Sequence, residues 1–158
     1  MVSSSAQHEF LDREEWESWG ALLRLHHSVL QELDAELRSR HDLPVTEFDV
    51  LITLFNAPQR RLRMSELAQH VLLSPAGATH LVTRLERDRL VRREADPADG
   101  RKWFAVLTDD GDRTLQAARL THNQVLRRTL FAAASPTDCR TLRRLWSRLS
   151  QQRESMAP

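Results

Sequence analysis

Apolar residues recur every three or four positions along the first forty residues: Trp16, Trp19, Leu22, Leu23, His26, Val29, Leu30, Leu33 and Leu37. That spacing draws one stripe on a helix and predicts a first helix over 11–40, ended by Leu43-Pro44. Thr46 is a suitable N-cap for a second helix, with Asp49 at N3 and Val45 and Val50 at the staple positions. Its apolar run through Phe48, Leu51, Ile52, Leu54 and Phe55 predicts a buried, central helix, broken at Asn56-Ala57-Pro58. An extended piece over 62–64 leads to Ser65, read as the cap of a short helix over 66–72 that turns Leu67, Ala68 and Val71 inward.

Ser74 followed by Pro75 is a second start signal, because Pro at the first helical position loses no hydrogen bond. The helix it opens runs to Arg87, with Ala78, Leu81, Val82 and Leu85 on the buried face. Two short helices joined through 72–74 make a helix-turn-helix. The strand-like stretches 90–95 and 102–107 flank the turn residues Asp96-Pro97-Ala98-Asp99-Gly100 and predict a hairpin with its tip near Asp99-Gly100. A helix-turn-helix followed at once by a hairpin is a winged helix. Thr108 caps a long helix, which Ser135-Pro136-Thr137-Asp138 stops. The same residues cap a last helix carrying Leu142, Leu145, Trp146 and Leu149. The fold class is therefore mainly α with a small β-hairpin, a winged helix-turn-helix flanked by long helices. The chain divides into an N-terminal helix (1–45), a winged helix-turn-helix lobe (46–108) and C-terminal helices (109–158). The segments before 11 and after 151 read as frayed ends.

Charge sharpens this picture. The net charge is +1, but residues 1–55 sum to −7, residues 56–107 to +4 and residues 108–158 to +4. Between Arg60 and Arg93 eight arginines face only Glu66, Glu86 and Asp88. A basic block inside a neutral chain calls for a local anionic partner, and this block coincides with the helix-turn-helix and its wing. The alternative is an ordinary solvated face.

Other chemistry is poorly represented. The four glycines form no nucleotide-binding or nucleophile-elbow motif, and the seven histidines have no metal-ligand spacing. No cofactor or metal is expected, and the chain does not read as an enzyme. One cysteine, Cys139, excludes an internal disulfide. With a polar, acidic N-terminus and no membrane-length apolar run, the expected location is the cytoplasm.

The helix from Ser74 presents Ala76, Gly77, Thr79, His80, Thr83, Arg84 and Arg87 outward. Its open N–H groups and the Ser74 hydroxyl suit a phosphate. Thr79, His80 and Arg84 are candidates for base edges or phosphates. The plainer reading of Arg84 is an ion pair with Asp88. On the wing, Arg101 and Lys102 suit a minor groove, with Asp99 placed to hold Arg101 across the turn.

The stretch from Met64 to Gly111 resembles the MarR (multiple antibiotic resistance regulator) family of winged-helix regulators. The resemblance rests on Ser65-Glu66-Leu67-Ala68, Thr79 through Glu86, Leu90-Val91-Arg92-Arg93, Asp96 through Arg101 and Leu107-Thr108-Asp109-Asp110-Gly111. The Asp-x-Arg of Asp99 and Arg101 is its most specific element. The resemblance implies a homodimer whose first helix and last two helices interlock, making 1–45 and 109–158 dimerisation helices around a DNA-binding lobe (46–108) in one intertwined unit, with Leu22, Val29, Leu33, Leu130, Leu142, Leu145, Trp146 and Leu149 at the interface. It implies double-stranded DNA with a near-palindromic operator as partner, contacted by Ser74, Thr79, Thr83 and Arg84, by Arg93 at the base of the wing and by the Asp99–Arg101 pair. It further implies repression relieved by a small aromatic or phenolic effector, with Trp16, Trp19, Leu23, His26, Phe48, Ile52 and Phe55 as candidate walls. At helical spacing those aromatics are more often dimer core than a ligand box. Three positions depart from the pattern. Arg89 replaces the glycine that usually ends the recognition helix, His80 stands where arginine is common, and Gly100 replaces a bulkier wing residue. Cys139 reads as an inert interface residue. The competing reading is a winged-helix protein-interaction module without a specific operator.

Overall fold

The computed structural model describes residues 10–96 and 98–155. Helix α1 spans Arg13–His41 and begins at a reciprocal cap. Glu15 N–H donates to Asp12 Oδ1 and Asp12 N–H donates to Glu15 Oε2, both at 2.8 Å. This box satisfies two donors that a helix start leaves open, which is why the helix starts after Asp12 rather than at Leu11. Asp42 closes it in left-handed backbone, φ 51°.

Helix α2 spans Val45–Asn56, two residues earlier than an N-cap at Thr46 predicts. Pro44 stands at its N-cap with φ −56° and supplies no side-chain acceptor. Asp34 on α1 does so instead, taking the Val45 N–H on Oδ1 at 2.9 Å. Burial opposes ionisation of Asp34, but that N–H and Arg38 hold its pKa below the ordinary 3.8. A cap on the second helix is thus provided by the first, a relationship no local pattern contains.

A 3-10 turn at Pro58–Arg60 leads into strand β1, Arg61–Arg63, and helix α3, Met64–His70. Helix α3 starts before Ser65, because Glu66 takes the Arg63 N–H at 3.0 Å and closes the first turn two residues earlier. Helix α4 spans Pro75–Arg87, followed by β2 (Val91–Asp96) and β3 (Asp99–Leu107). The sheet is antiparallel in the order β1-β3-β2, with Leu62 and Arg93 both paired to Ala105. Because Asp96 pairs with Asp99, the hairpin turn precedes Asp99 rather than falling at Asp99-Gly100.

Thr108 joins the wing to helix α5, Asp109–Thr129. Its hydroxyl lies 2.7 Å from the Arg89 carbonyl and 3.0 Å from that of Leu90, and accepts the Gly111 N–H at 2.9 Å. Gly111 sits so close to Leu90 that a Cβ would lie 2.1 Å from the Leu90 oxygen. The Leu107-Thr108-x-x-Gly111 run therefore has a physical origin: one hydroxyl ties three elements, and only glycine fits the contact. Helix α6, Pro136–Ser155, is opened by Asp138, which accepts the Ser135 N–H at 2.9 Å. The helix continues past the expected fraying point at 152, and the expected frayed ends 1–9 and 156–158 lie outside the described residues.

The core is built from Leu37, Leu43, Phe48, Val50, Leu51, Leu54, Leu67, Val82, Leu85, Val91, Ala105, Leu107, Leu115 and Ala118. Each fully buried leucine contributes roughly 1.5–3 kcal/mol relative to exposure. Helix α5 lies along α1, where Arg128 bonds Glu32 and Glu36, and His41 Nε2 meets Thr121 Oγ1 at 2.8 Å. Helix α6 and the first half of α1 are different. Leu142, Leu145, Trp146 and Leu149, like Trp16, Trp19, Leu22 and Leu23, are 42–65% exposed in the single chain.

Candidate nucleic-acid interface

Helix α4 is set by its first turn and its buried face. Ser74 Oγ accepts the Gly77 N–H at 3.1 Å, so the predicted cap is present. Ala78, Val82 and Leu85 anchor one face in the core. Thr79, His80, Thr83, Arg84 and Arg87 are exposed on the other. The Thr79 hydroxyl donates to the Pro75 carbonyl and the Thr83 hydroxyl to the Thr79 carbonyl, each at 2.8 Å. With the protons turned inward, Thr79 Oγ1 presents lone pairs outward and can accept from a base amino group. Thr83 Oγ1 is already engaged by Arg93 Nη2, which also reaches the Thr79 carbonyl at 3.2 Å. Arg93 thus ties the base of the wing to the middle of α4, and its own N–H donates to Glu86 at 3.1 Å.

Arg84 does not pair with Asp88. Its Nε lies 2.8 Å from Glu47 Oε1 on α2, and Asp88 is taken by Arg87 at 3.2 Å. Arg84 would have to leave Glu47 to reach a groove. Burial pushes the Glu47 carboxyl above the ordinary 4.5; Arg84 opposes that, Asp88 and Asp42 add to it, and Arg38 opposes it from α1. Arg89, at the position where the family usually has glycine, itself adopts φ 61°. The turn after the helix is kept, and the strain falls on an arginine.

The wing is anchored at its base and charged near its turn. Asp96 is buried, accepts the Ala98 N–H at 2.9 Å and meets Arg63 Nη2 at 2.7 Å. The Ala98 N–H, with Arg63 adding to it, holds its carboxyl below the ordinary 3.8. Asp99 takes both wing cations, Arg101 Nε at 3.4 Å and Lys102 Nζ at 3.3 Å. Arg101 projects almost wholly into solvent, its side chain 94% exposed. A Cβ on Gly100 would meet open space, so that position adds no contact to the wing.

Between α4 and the wing lies a cavity of about 550 Å³ lined by Arg63, Met64, Ser65, Thr79, Arg93, Arg101, Lys102 and Trp103. It brings together Thr79, Arg93, Arg101 and Lys102, which the sequence singled out. Ser74, His80, Thr83, Arg84 and Asp99 are not among its lining residues. Sequence reasoning missed Arg63, Ser65 and Trp103. Arg63 belonged to the basic block, but only the pairing of β1 with β3 sets it beside the wing.

Two other groups need correction. Leu33 is 4% exposed and packed inside the chain, so it offers no surface to a second copy. Phe48 is 2% exposed and stacks on His122 at 4.7 Å between ring centroids, which makes it core rather than the wall of an open pocket. Ile52 and Phe55 are partly buried against the same core, and Phe55 lies beneath Arg60 and Arg119. His26 lines an open cavity of about 570 Å³ with His27, Leu30, Gln31, Asp34, Ala35 and Val45, none of them among the other predicted pocket walls. Val29 and Leu130 are half-buried, and Cys139 is exposed. Among the described residues no helix is long and apolar enough to cross a membrane.

The sequence pattern of the MarR family matches residues 41–102. The chain is 32% identical over 98 residues to the uncharacterised HTH-type transcriptional regulator YkoM of Bacillus subtilis, covering 62% of each chain. It is 31% identical over 90 residues to the HTH-type transcriptional regulator MhqR of the same organism, covering 57% of this chain and 60% of MhqR. The chain thus spans about six-tenths of the length of these curated relatives. Over nearly its whole length it is similar to Sco3205 of Streptomyces coelicolor, a MarR family regulator solved in complex with DNA. That similarity has TM-score 0.85 and 30% identity, covering 95% of this chain and 92% of Sco3205. AbsC from the same organism is similar at TM-score 0.84 and 27% identity, with 94% and 99% coverage. These relatives are regulators rather than enzymes, and the match takes in both long terminal helices as well as the winged helix: the chain belongs to the MarR family of winged-helix transcriptional regulators.

Proposed function

We propose that this chain is a homodimeric, sequence-specific DNA-binding repressor that reads a near-palindromic operator. The observation that carries the reading is the juxtaposition of α4 and the wing around one cationic cleft, with Arg101 projecting beyond it. Thr79 and His80 face a major groove, the open N–H groups at Ser74 meet a phosphate, and Arg101 and Lys102 enter the adjacent minor groove. Sco3205, the relative solved in complex with DNA, supports DNA as the partner. The dimer reading draws on the exposed stripes of α1 and α6, which leave Trp19, Leu22, Leu145 and Trp146 without cover in a single chain. A small aromatic or phenolic effector belongs to the same reading, without the pocket walls expected from the sequence, which the structure does not bring together.

The test is a mobility-shift titration on duplex DNA from upstream of the chain's own gene, against unrelated competitor, at two salt concentrations. A competitor-resistant complex of dimer stoichiometry is expected. Arg101→Ala should weaken it by about 1–3 kcal/mol, the size of one good groove contact. Equal competition by any DNA would instead favour a winged helix that serves a protein partner. Aromatic acids added to the same assay test the effector.

A further inference from the structure

We propose that the cleft between α4 and the wing seats one sugar–phosphate strand of the duplex, and that Trp103 packs against the sugars of that strand. The inference rests on the DNA-binding reading above and names how the backbone is held. A helix in a major groove and a wing in the neighbouring minor groove straddle one strand, and the cleft lies between those two elements. Four cations line it, Arg63, Arg93, Arg101 and Lys102, and no carboxylate is among its lining residues. Each cation has a carboxylate within ion-pair distance that does not line the cleft: Asp96 for Arg63, Asp99 for Arg101 and Lys102, and Glu86 for Arg93.

The lining is not uniformly ionic. Met64 and Trp103 contribute apolar surface between the cations, and Trp103 is 48% exposed on β3. A bare phosphate site has no use for an exposed indole. A phosphodiester strand offers both anionic groups and the apolar faces of its sugars, and the lining holds a partner for each. The bases of a duplex stay stacked, so the ring meets sugar rather than base, and its Nε1–H remains free to donate to a phosphate oxygen. The contact carries no charge and no sequence information. It therefore contributes equally on any duplex and does not add to the salt dependence, which counts only neutralised phosphates.

The experiment compares the full chain with Trp103→Ala, Trp103→Phe and Lys102→Gln. Each is titrated with a duplex from upstream of its own gene and with an unrelated duplex, at several salt concentrations. Tryptophan fluorescence is read in parallel with mobility shift. Trp103→Ala should weaken both complexes by about five- to tenfold and leave the salt slope unchanged. Lys102→Gln should lower the slope by about one. Most of the fluorescence change on binding should vanish in Trp103→Phe, which keeps a ring on β3 and carries the test if alanine unfolds the wing. Unchanged affinity with a persisting fluorescence change would overturn the proposal while leaving the DNA-binding reading intact. A loss confined to one duplex would also overturn it, because it would make Trp103 a base reader. If the unsubstituted chain shifts neither duplex, the DNA-binding reading itself fails.

Discussion

Arg84 of α4 holds its Nε 2.8 Å from Oε1 of Glu47 on α2, and the Glu47 side chain is 3% exposed. The N–H is not aimed at that oxygen, so the contact is an ion pair rather than a directed hydrogen bond. It couples α4, the helix proposed to face DNA, to α2, whose Phe48, Val50, Leu51 and Leu54 are buried in the core. Removing the cation strands a buried carboxylate, whereas removing both charges does not. Arg84→Met should therefore destabilise the fold by about 1–3 kcal/mol, less than for a fully buried pair because Arg84 is half-exposed. Glu47→Gln with Arg84→Met should recover most of that loss in a denaturant titration. An equal loss in the single and double variants would refute the coupling.

The same carboxyl sets a pH dependence. Glu47 is held above its ordinary 4.5 by burial, with Arg84 opposing. Folding then takes up a proton in the window just above 4.5, and the contribution of this residue to stability grows as pH falls into that window. Asp34 acts in the opposite sense. Its pKa is held below 3.8, so its contribution is present above that value and is lost as pH falls further. Acid titration of Glu47→Gln should lose the first feature and keep the second, followed by thermal melting at each pH.

Leu72 and Arg89 occupy left-handed backbone, at φ 55° and 61°. Leu72 is 91% exposed, so a substitution there forfeits almost no packing. A side chain in this region costs about 1 kcal/mol that glycine avoids, less the extra freedom glycine gains when unfolded. Leu72→Gly and Arg89→Gly should each stabilise the chain by about 0.5 kcal/mol, read as a higher melting temperature.

Gly111 gives the opposite result. A Cβ at that position would lie 2.1 Å from the Leu90 carbonyl oxygen and 2.8 Å from Leu107 Cδ1. The nearer atom is backbone and cannot swing away. Gly111→Ala should cost about 3 kcal/mol or more and separate α5 from the end of β3. A melting temperature within a degree of the parent would show that this packing yields easily.

Helix α6 tests the assembly. Leu142, Leu145, Trp146 and Leu149 form one apolar stripe, between 42 and 65% exposed in the single chain. Leu145→Asp would place a charge in the interface that a second copy would bury. Sedimentation at micromolar concentration should then report a monomer where the parent chain sediments as a dimer. Two species of equal mass would remove α6 from the interface.

Much of this was legible one residue at a time. The Ser74 cap, the Thr108 cap, the Asp138 cap of α6, the two wing strands and the stripes of α1 and α6 all follow from spacing and from side chains acting within one turn of their own backbone. The same local reading placed Thr79, Arg93, Arg101 and Lys102 in one region, since the basic block and the helix-turn-helix share a stretch of chain. It misjudged what depends on a distant partner. The alternative reading of Arg84, an ion pair with Asp88, names the wrong acid, because Glu47, thirty-seven positions earlier, becomes its neighbour only in the folded chain. The start of α2 was set by Asp34 on another helix, and Leu33 and Phe48 were placed at an interface and a pocket wall that their burial removes. Arg63 and Trp103 joined the cleft only through the pairing of β1 with β3. The sequence by itself therefore determined the elements, their caps and the location of positive charge, because those are short-range properties of the chain. The tertiary structure alone decided which charges are held in reserve, which apolar residues remain for a partner and how the wing closes over α4, because each depends on residues that only packing brings together.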